Sequence, residues 1–112
     1  MQGMVLDERL EREDTAENAE LVARAGDGDQ VAWDRLVDRY GKVVWAVARA
    51  QGLGARDASD VSQVTWLLLA QHVGALRQPE RVGAWLLRTA TREAYRMRRL
   101  RGYEVPEPAG AR

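Results

Sequence analysis

Apolar residues along this chain recur at steps of three and four rather than in alternation, and they divide into four helical stretches. The run Glu17–Ala25, ENAELVARA, predicts a short helix that stops at the turn-forming Gly26-Asp27-Gly28. Asp29 is a good N-cap for a second, longer helix, whose apolar face is Trp33, Leu36, Val37, Tyr40, Val44, Val47 and Ala48. Gly52 or Gly54 supplies its stop, and Gly41 inside it marks close packing or a bend. Trp33 and Trp45 read most simply as core residues. A third helix is expected from Asp57, where Asp57-Ala58-Ser59-Asp60 resembles a capping box, to Gly74. Val61, Val64, Leu68 and Ala70 would face one neighbour there, and Trp66, Leu69 and Val73 another. A loop over Gly74–Gln78 leads to a fourth helix that opens at Pro79 and ends at Gly102. Its apolar side is Trp85, Leu86, Ala90, Ala94 and Met97. No alternating run or hairpin signal and no internal repeat is present. The expected fold is all-α, a compact bundle of about four helices.

Three segments follow from this pattern. Residues 1–16 form an acidic extension with no sustained apolar stripe, 17–102 the helical domain, and 103–112, with two prolines, a linker or tail. An acidic arm that screens the basic helix is a second reading of the extension, weaker than that of a plain flexible end.

Charge changes the picture more than composition does. The 112 residues carry 17 basic and 17 acidic side chains, so the formal net charge is zero. Residues 1–40 nonetheless hold 5 basic and 11 acidic groups, while 74–102 hold 8 basic groups, all arginine, and 2 acidic ones. Arg81, Arg88, Arg92, Arg96 and Arg99 form a ladder along one side of the fourth helix. At about 33 Å for roughly 22 residues, this helix approaches the length of one turn of duplex DNA.

Other chemistries find little footing. There is no cysteine, which excludes a disulfide framework and a thiolate metal site, and a single histidine, His72, which argues against a histidine-based metal or acid–base site. Asp57 and Asp60 are better explained by capping than by acid–base work, and no phosphate loop is present. The reading is a non-enzyme without cofactor. The chain has no membrane-length apolar run and no signal-peptide pattern, so a cytoplasmic location is expected. Arginine's planar fork suits phosphates and base edges. Aromatic residues interleaved with the arginines suit stacking on exposed bases. Against that, a solvated basic face is an equally common use of such a helix. Trp85 reads better as core, and Tyr95 is balanced between the two uses.

The order of motifs resembles the second conserved region of sigma-70-type transcription initiation factors, in particular the extracytoplasmic-function group. AWDRLVDRYGKVVWAVAR is similar to that group's first conserved helix. DASDVSQVTWLLLAQHV is similar to its Asp-Ala-Glu-Asp-Leu-x-Gln-Glu-x-Phe helix, and RVGAWLLRTATREAYRMRR to its Trp-Leu-x-x-Ile-Ala-x-Asn helix with trailing arginines. The likeness covers about Glu20 to Arg101. It implies that Asp60 and Gln63, with Ser59 and Val64 beside them, dock on the clamp helices of the largest subunit of the RNA polymerase core. It implies further that the last helix and its lead-in recognise and melt the promoter minus-ten element on the non-template strand. By that correspondence the DNA-binding set is Arg77, Gln78, Glu80, Arg81, Arg88, Thr89, Arg92, Tyr95 and Arg96, with Arg98 and Arg99 for backbone contacts. An anti-sigma factor is a further candidate partner. The chain departs from the pattern at Ser59 and Val64, where acids are usual, and at Arg92, where asparagine is common. It stops where a linker to the fourth conserved region is expected, as an excised domain or a one-domain relative would. Two other readings stand beside this one: a helical interaction module, an adaptor or anti-sigma target, whose arginines are only solvated; and a stand-alone helix-turn-helix repressor, for which Gly74–Gln78 is a poor turn.

Overall fold

The computed structural model describes residues 16–102. The expected tail over 103–112 lies outside them, as does all but the last residue of the acidic extension. Four α-helices follow in order: α1 Ala16–Gly26, α2 Gln30–Ala50, α3 Ala55–His72 and α4 Val82–Leu100. Two 3₁₀ turns, Val73–Ala75 and Pro79–Arg81, connect α3 to α4. No strand occurs among the described residues. The architecture is an all-α bundle.

The start of α2 follows local chemistry. Asp29 has extended backbone and its carboxylate accepts from the N–H groups of Val31 and Ala32, satisfying donors that the first turn leaves without helical partners. The chain reaches Asp29 through Gly28, whose φ of 92° lies in the region glycine enters without strain. α2 then buries Ala32, Leu36, Tyr40, Val44 and Ala48, one residue in four. It packs against α1, α3 and α4, so it is the central helix. Trp33, Val37 and Val47 from the predicted face are only half-buried. Trp45 is 38% exposed, which corrects its assignment to the core. Gly41 lies within the continuous helix without close packing from another element: a methyl there would meet only Val37, at 3.8 Å.

A buried polar link fastens α1 to this centre. Asn18 is fully buried and its amide donates to the Tyr40 hydroxyl at 2.7 Å. Arg39 donates to the Asn18 carbonyl oxygen at 2.6 Å and to Glu17 at 2.7 Å. Because a buried amide left without partners costs about 1–3 kcal/mol, the link fixes the seating of α1.

In α3 the expected start and faces both shift. The helix begins at Ala55 with Gly54 as its N-cap, so Asp57 lies inside the first turn rather than capping it. Its acid still faces the favourable end of the helix dipole. The buried stripe is Ala58, Val61, Thr65 and Leu69. Val64 and Leu68 are half-buried and Ala70 is exposed, contrary to the predicted division. Polar Thr65 enters the core because its hydroxyl donates to the Val61 carbonyl at 2.8 Å.

The entry to α4 also differs. Pro79 opens a 3₁₀ turn closed by the Arg81 N–H donating to the Gln78 carbonyl at 2.8 Å, and the α-helix starts at Val82. This turn and the one before it pack on α1. A shallow hollow lined by Val22, Gly26, Leu76 and Pro79 marks that junction. α4 buries Val82, Gly83, Leu86, Thr89, Ala90, Ala94 and Arg98, while the predicted Trp85 and Met97 are half-buried against the core. Removing a side chain such as fully buried Leu86 down to alanine costs about 2–5 kcal/mol.

Candidate nucleic-acid interface and docking face

The burial pattern of α4 leaves its opposite side to solvent. Arg88, Arg92, Arg96 and Arg99 are all exposed, with Tyr95 51% exposed among them. At about 100° per residue these five share an arc of roughly 100°. Arg81 on the preceding turn is exposed as well. Glu93 is the one acid within α4, and it contacts Arg96 only at 3.7 Å. The face is therefore strongly basic with little internal compensation.

Two members of the predicted DNA-binding set are not on this face. Thr89 is 1% exposed and Arg98 is 7% exposed. The guanidinium of Arg98 lies 6.0 Å from the Tyr95 ring centroid, a cation–π distance at the edge of contact. The polar character of both residues hid their place in the core, where Thr89 falls in step with Leu86 and Ala90, and Arg98 with Ala94.

Beside the basic face the α3–α4 connection encloses a hollow of about 300 Å³. Arg77, Gln78, Arg81 and Arg88 line it together with His72 and Trp85. Arg77 and Gln78 are exposed, whereas Glu80 is half-buried and does not line it. The His72 and Trp85 rings stand 6.2 Å apart at 44°. Neither ring belonged to the predicted site. Their four-residue offsets from Leu68 and Arg81 were visible in the sequence, but the fold of the connection that joins them was not.

On α3 the four predicted docking residues divide. Gln63 is exposed and Ser59 half-buried, and both line an apolar hollow of about 440 Å³ with Trp33, Trp45, Trp66 and Leu67. Trp33 and Trp66 meet edge to face, centroids 5.9 Å apart. Asp60 turns toward the end of α4, where Arg101 lies 3.8 Å from it and 3.4 Å from Asp57. Val64 is half-buried one turn further on. Leu67 is 62% exposed, an apolar residue standing out of the core stripe. That spacing was the signal by which this hollow could have been found.

Among the described residues no cluster of three or more His, Cys, Asp or Glu side chains is placed to hold a metal ion. Nor is any helix there long and apolar enough to cross a membrane.

The all-α bundle thus carries a basic face on its final helix and an apolar hollow between α2 and α3. The Sigma-70 region 2 family matches residues 36–102, and the chain belongs to that family. It is 37% identical over 87 residues to the RNA polymerase sigma factor CnrH of Cupriavidus metallidurans, covering 74% of this chain and 45% of the relative. It is 30% identical over 81 residues to the RNA polymerase sigma factor NccH of Alcaligenes xylosoxydans xylosoxydans, covering 72% of this chain and 44% of the relative. The chain thus spans less than half the length of these relatives. No solved structure matches it.

Proposed function

We propose that this domain acts in transcription initiation, docking on the RNA polymerase core through α3 and holding the non-template strand of the minus-ten element on α4. The observation that carries the reading is the presence on one small domain of two chemically different surfaces, an apolar hollow between α2 and α3 and a basic face on α4. An apolar hollow edged by Gln63 suits a helical protein partner. The exposed arginines of α4, with Tyr95 among them and the Trp85 hollow beside them, suit an unpaired strand whose phosphates need cations and whose bases need a stacking surface. Arg77, Gln78, Arg81, Arg88, Arg92, Tyr95, Arg96 and Arg99 are the residues assigned to the strand. The hollow by Trp85 receives one extruded base. Thr89 and Arg98 support the helix from within, and Glu80 shapes the turn. The reaction has no chemical step, so binding energy alone drives melting.

The test is a pull-down with the clamp fragment of the polymerase largest subunit, together with titration of non-template minus-ten oligonucleotides. Gln63→Ala and Asp60→Ala are expected to weaken capture, and oligonucleotide affinity to fall steeply with salt. Full capture by both variants would sink the docking assignment. Equal affinity for every single strand would reduce α4 to general electrostatics.

The breadth of the apolar hollow favours a second reading, in which its partner is an anti-sigma factor or another helical protein and the arginines are only solvated. That reading predicts protein capture with no salt-dependent DNA binding.

A further inference from the structure

The end of α4 makes a contact with α3 that neither proposed surface accounts for. Arg101 closes the helix: its backbone N–H donates to the Met97 carbonyl at 2.9 Å, and its φ of −88° and ψ of −2° continue the helical turn. At about 100° per residue its side chain therefore leaves α4 roughly opposite the ladder of Arg88, Arg92, Arg96 and Arg99. It reaches the first turns of α3, where its Nε lies 3.4 Å from Asp57 and its Nη2 3.8 Å from Asp60. The Asp57 side chain is 11% exposed, that of Asp60 44% and that of Arg101 52%. Arg101 is the one cation paired with Asp60 among the described residues.

A cation beside a docking carboxylate acts in one of two ways. It holds the carboxylate in the orientation a partner needs, or it competes with the partner for that carboxylate. A hydrogen bond from nitrogen to oxygen spans about 2.7–3.2 Å, so at 3.8 Å Arg101 fixes no direction for the Asp60 oxygens. Their acceptor positions stay open to a partner's donor. What Arg101 supplies is charge, which cancels part of the field of Asp60 and repels any cation that approaches it. Both effects have the same sign. We infer that Arg101 is a specificity-determining residue of the docking face, weakening engagement of Asp60 by a cationic group of the partner and leaving engagement by a neutral donor nearly untouched. The inference rests on the reading of Asp60 as a docking residue. A partner attracted by the carboxylate alone is penalised, whereas one that also fills the apolar hollow edged by Ser59 and Gln63 recovers the loss through apolar contact. Arg101 thus shifts recognition on α3 from charge toward shape.

The experiment titrates the clamp fragment of the polymerase largest subunit against the whole chain and its variants. Arg101→Ala is expected to bind about 2- to 5-fold more tightly, the worth of one exposed ion pair. The gain should fade between about 0.1 M and about 1 M salt, as screening shortens the reach of charge. Arg101→Lys keeps the charge and should bind as wild type does. In the Asp60→Ala background the gain should shrink, since no carboxylate is left to draw the partner's cation toward Arg101. Loss of fold lowers capture and cannot imitate a gain. Should Arg101→Ala unfold, Arg101→Gln, which retains a donor for Asp57, carries the same expectation. If the uncharged variants bind no better than wild type, if Arg101→Lys gains as much as they do, or if the gain is equal without Asp60, the role of Arg101 is overturned while docking through Asp60 stands. If Asp60→Ala alone leaves capture unchanged, the docking reading fails and takes this inference with it.

Discussion

Two arginines six residues apart in the same helix have opposite uses. Arg92 stands in solvent with the other members of the ladder, whereas Arg98 is 7% exposed and lays its stem along the interior. Arg92→Ala is expected to leave the unfolding midpoint unchanged and to lower the salt slope of single-strand binding by about 0.7, the counterion share of one phosphate contact. Arg98→Ala should destabilise the fold by about 0.5–3 kcal/mol in denaturant melts, with any loss of binding following from loss of structure. The ladder itself was readable from spacing, because exposed charge needs only periodicity. Arg98, Thr65 and Thr89 were not, since a hydrophobic–polar code assigns them to the surface. Their burial depends on local devices such as the Thr65 hydroxyl bond to Val61 and the Tyr95 ring beside Arg98.

At the level of the helix, caps and breaks decide more than propensity does. The Asp29 cap was legible because a short acid before a periodic run has few other uses. Its carboxyl is held below the ordinary carboxylate range, first by the hydrogen bond from Arg24 and then by backbone N–H groups. A depressed folded value means that the cap's stabilisation is present above the unfolded value and is lost as pH falls through the folded one. Melting temperature should therefore fall on acidification below about pH 4, and the Asp29 share of that fall should be missing in Asp29→Ala. Gly41 offers the reverse case. It lies in an uninterrupted helix, where a methyl would make an ordinary contact with Val37 and no clash. Gly41→Ala is expected to raise stability by about 0.5–1 kcal/mol, read as a higher denaturant midpoint at constant slope. The starts of α3 and α4 were misplaced in the sequence reading because Asp57 and Pro79 each have two good roles. Asp57 is an acid within a first turn that also meets Arg101, and Pro79 opens a 3₁₀ turn instead of the α-helix.

Across the whole domain, charge and apolar surface are sorted by helix. α3 presents the tryptophan-edged hollow, and α4 carries five arginines against one acid. The linear charge blocks foretold this sorting, and the fourfold helix count followed from periodicity. The two hollows did not, because each joins residues from segments far apart in sequence: Trp33 and Trp45 with Leu67 in one, His72 with Trp85 in the other. α1 holds none of the assigned site residues, yet the turns at Val73–Ala75 and Pro79–Arg81 rest on it. It is the buttress of the connection between α3 and α4. Amide hydrogen exchange gives that role a readable form, since local opening reports how firmly a segment is held. Leu21→Ala, at a position 3% exposed on α1, should speed exchange through residues 73–82 more than in the middle of α3. The firmness of the connection proposed to hold an unpaired strand is then set in part by a helix outside the proposed site.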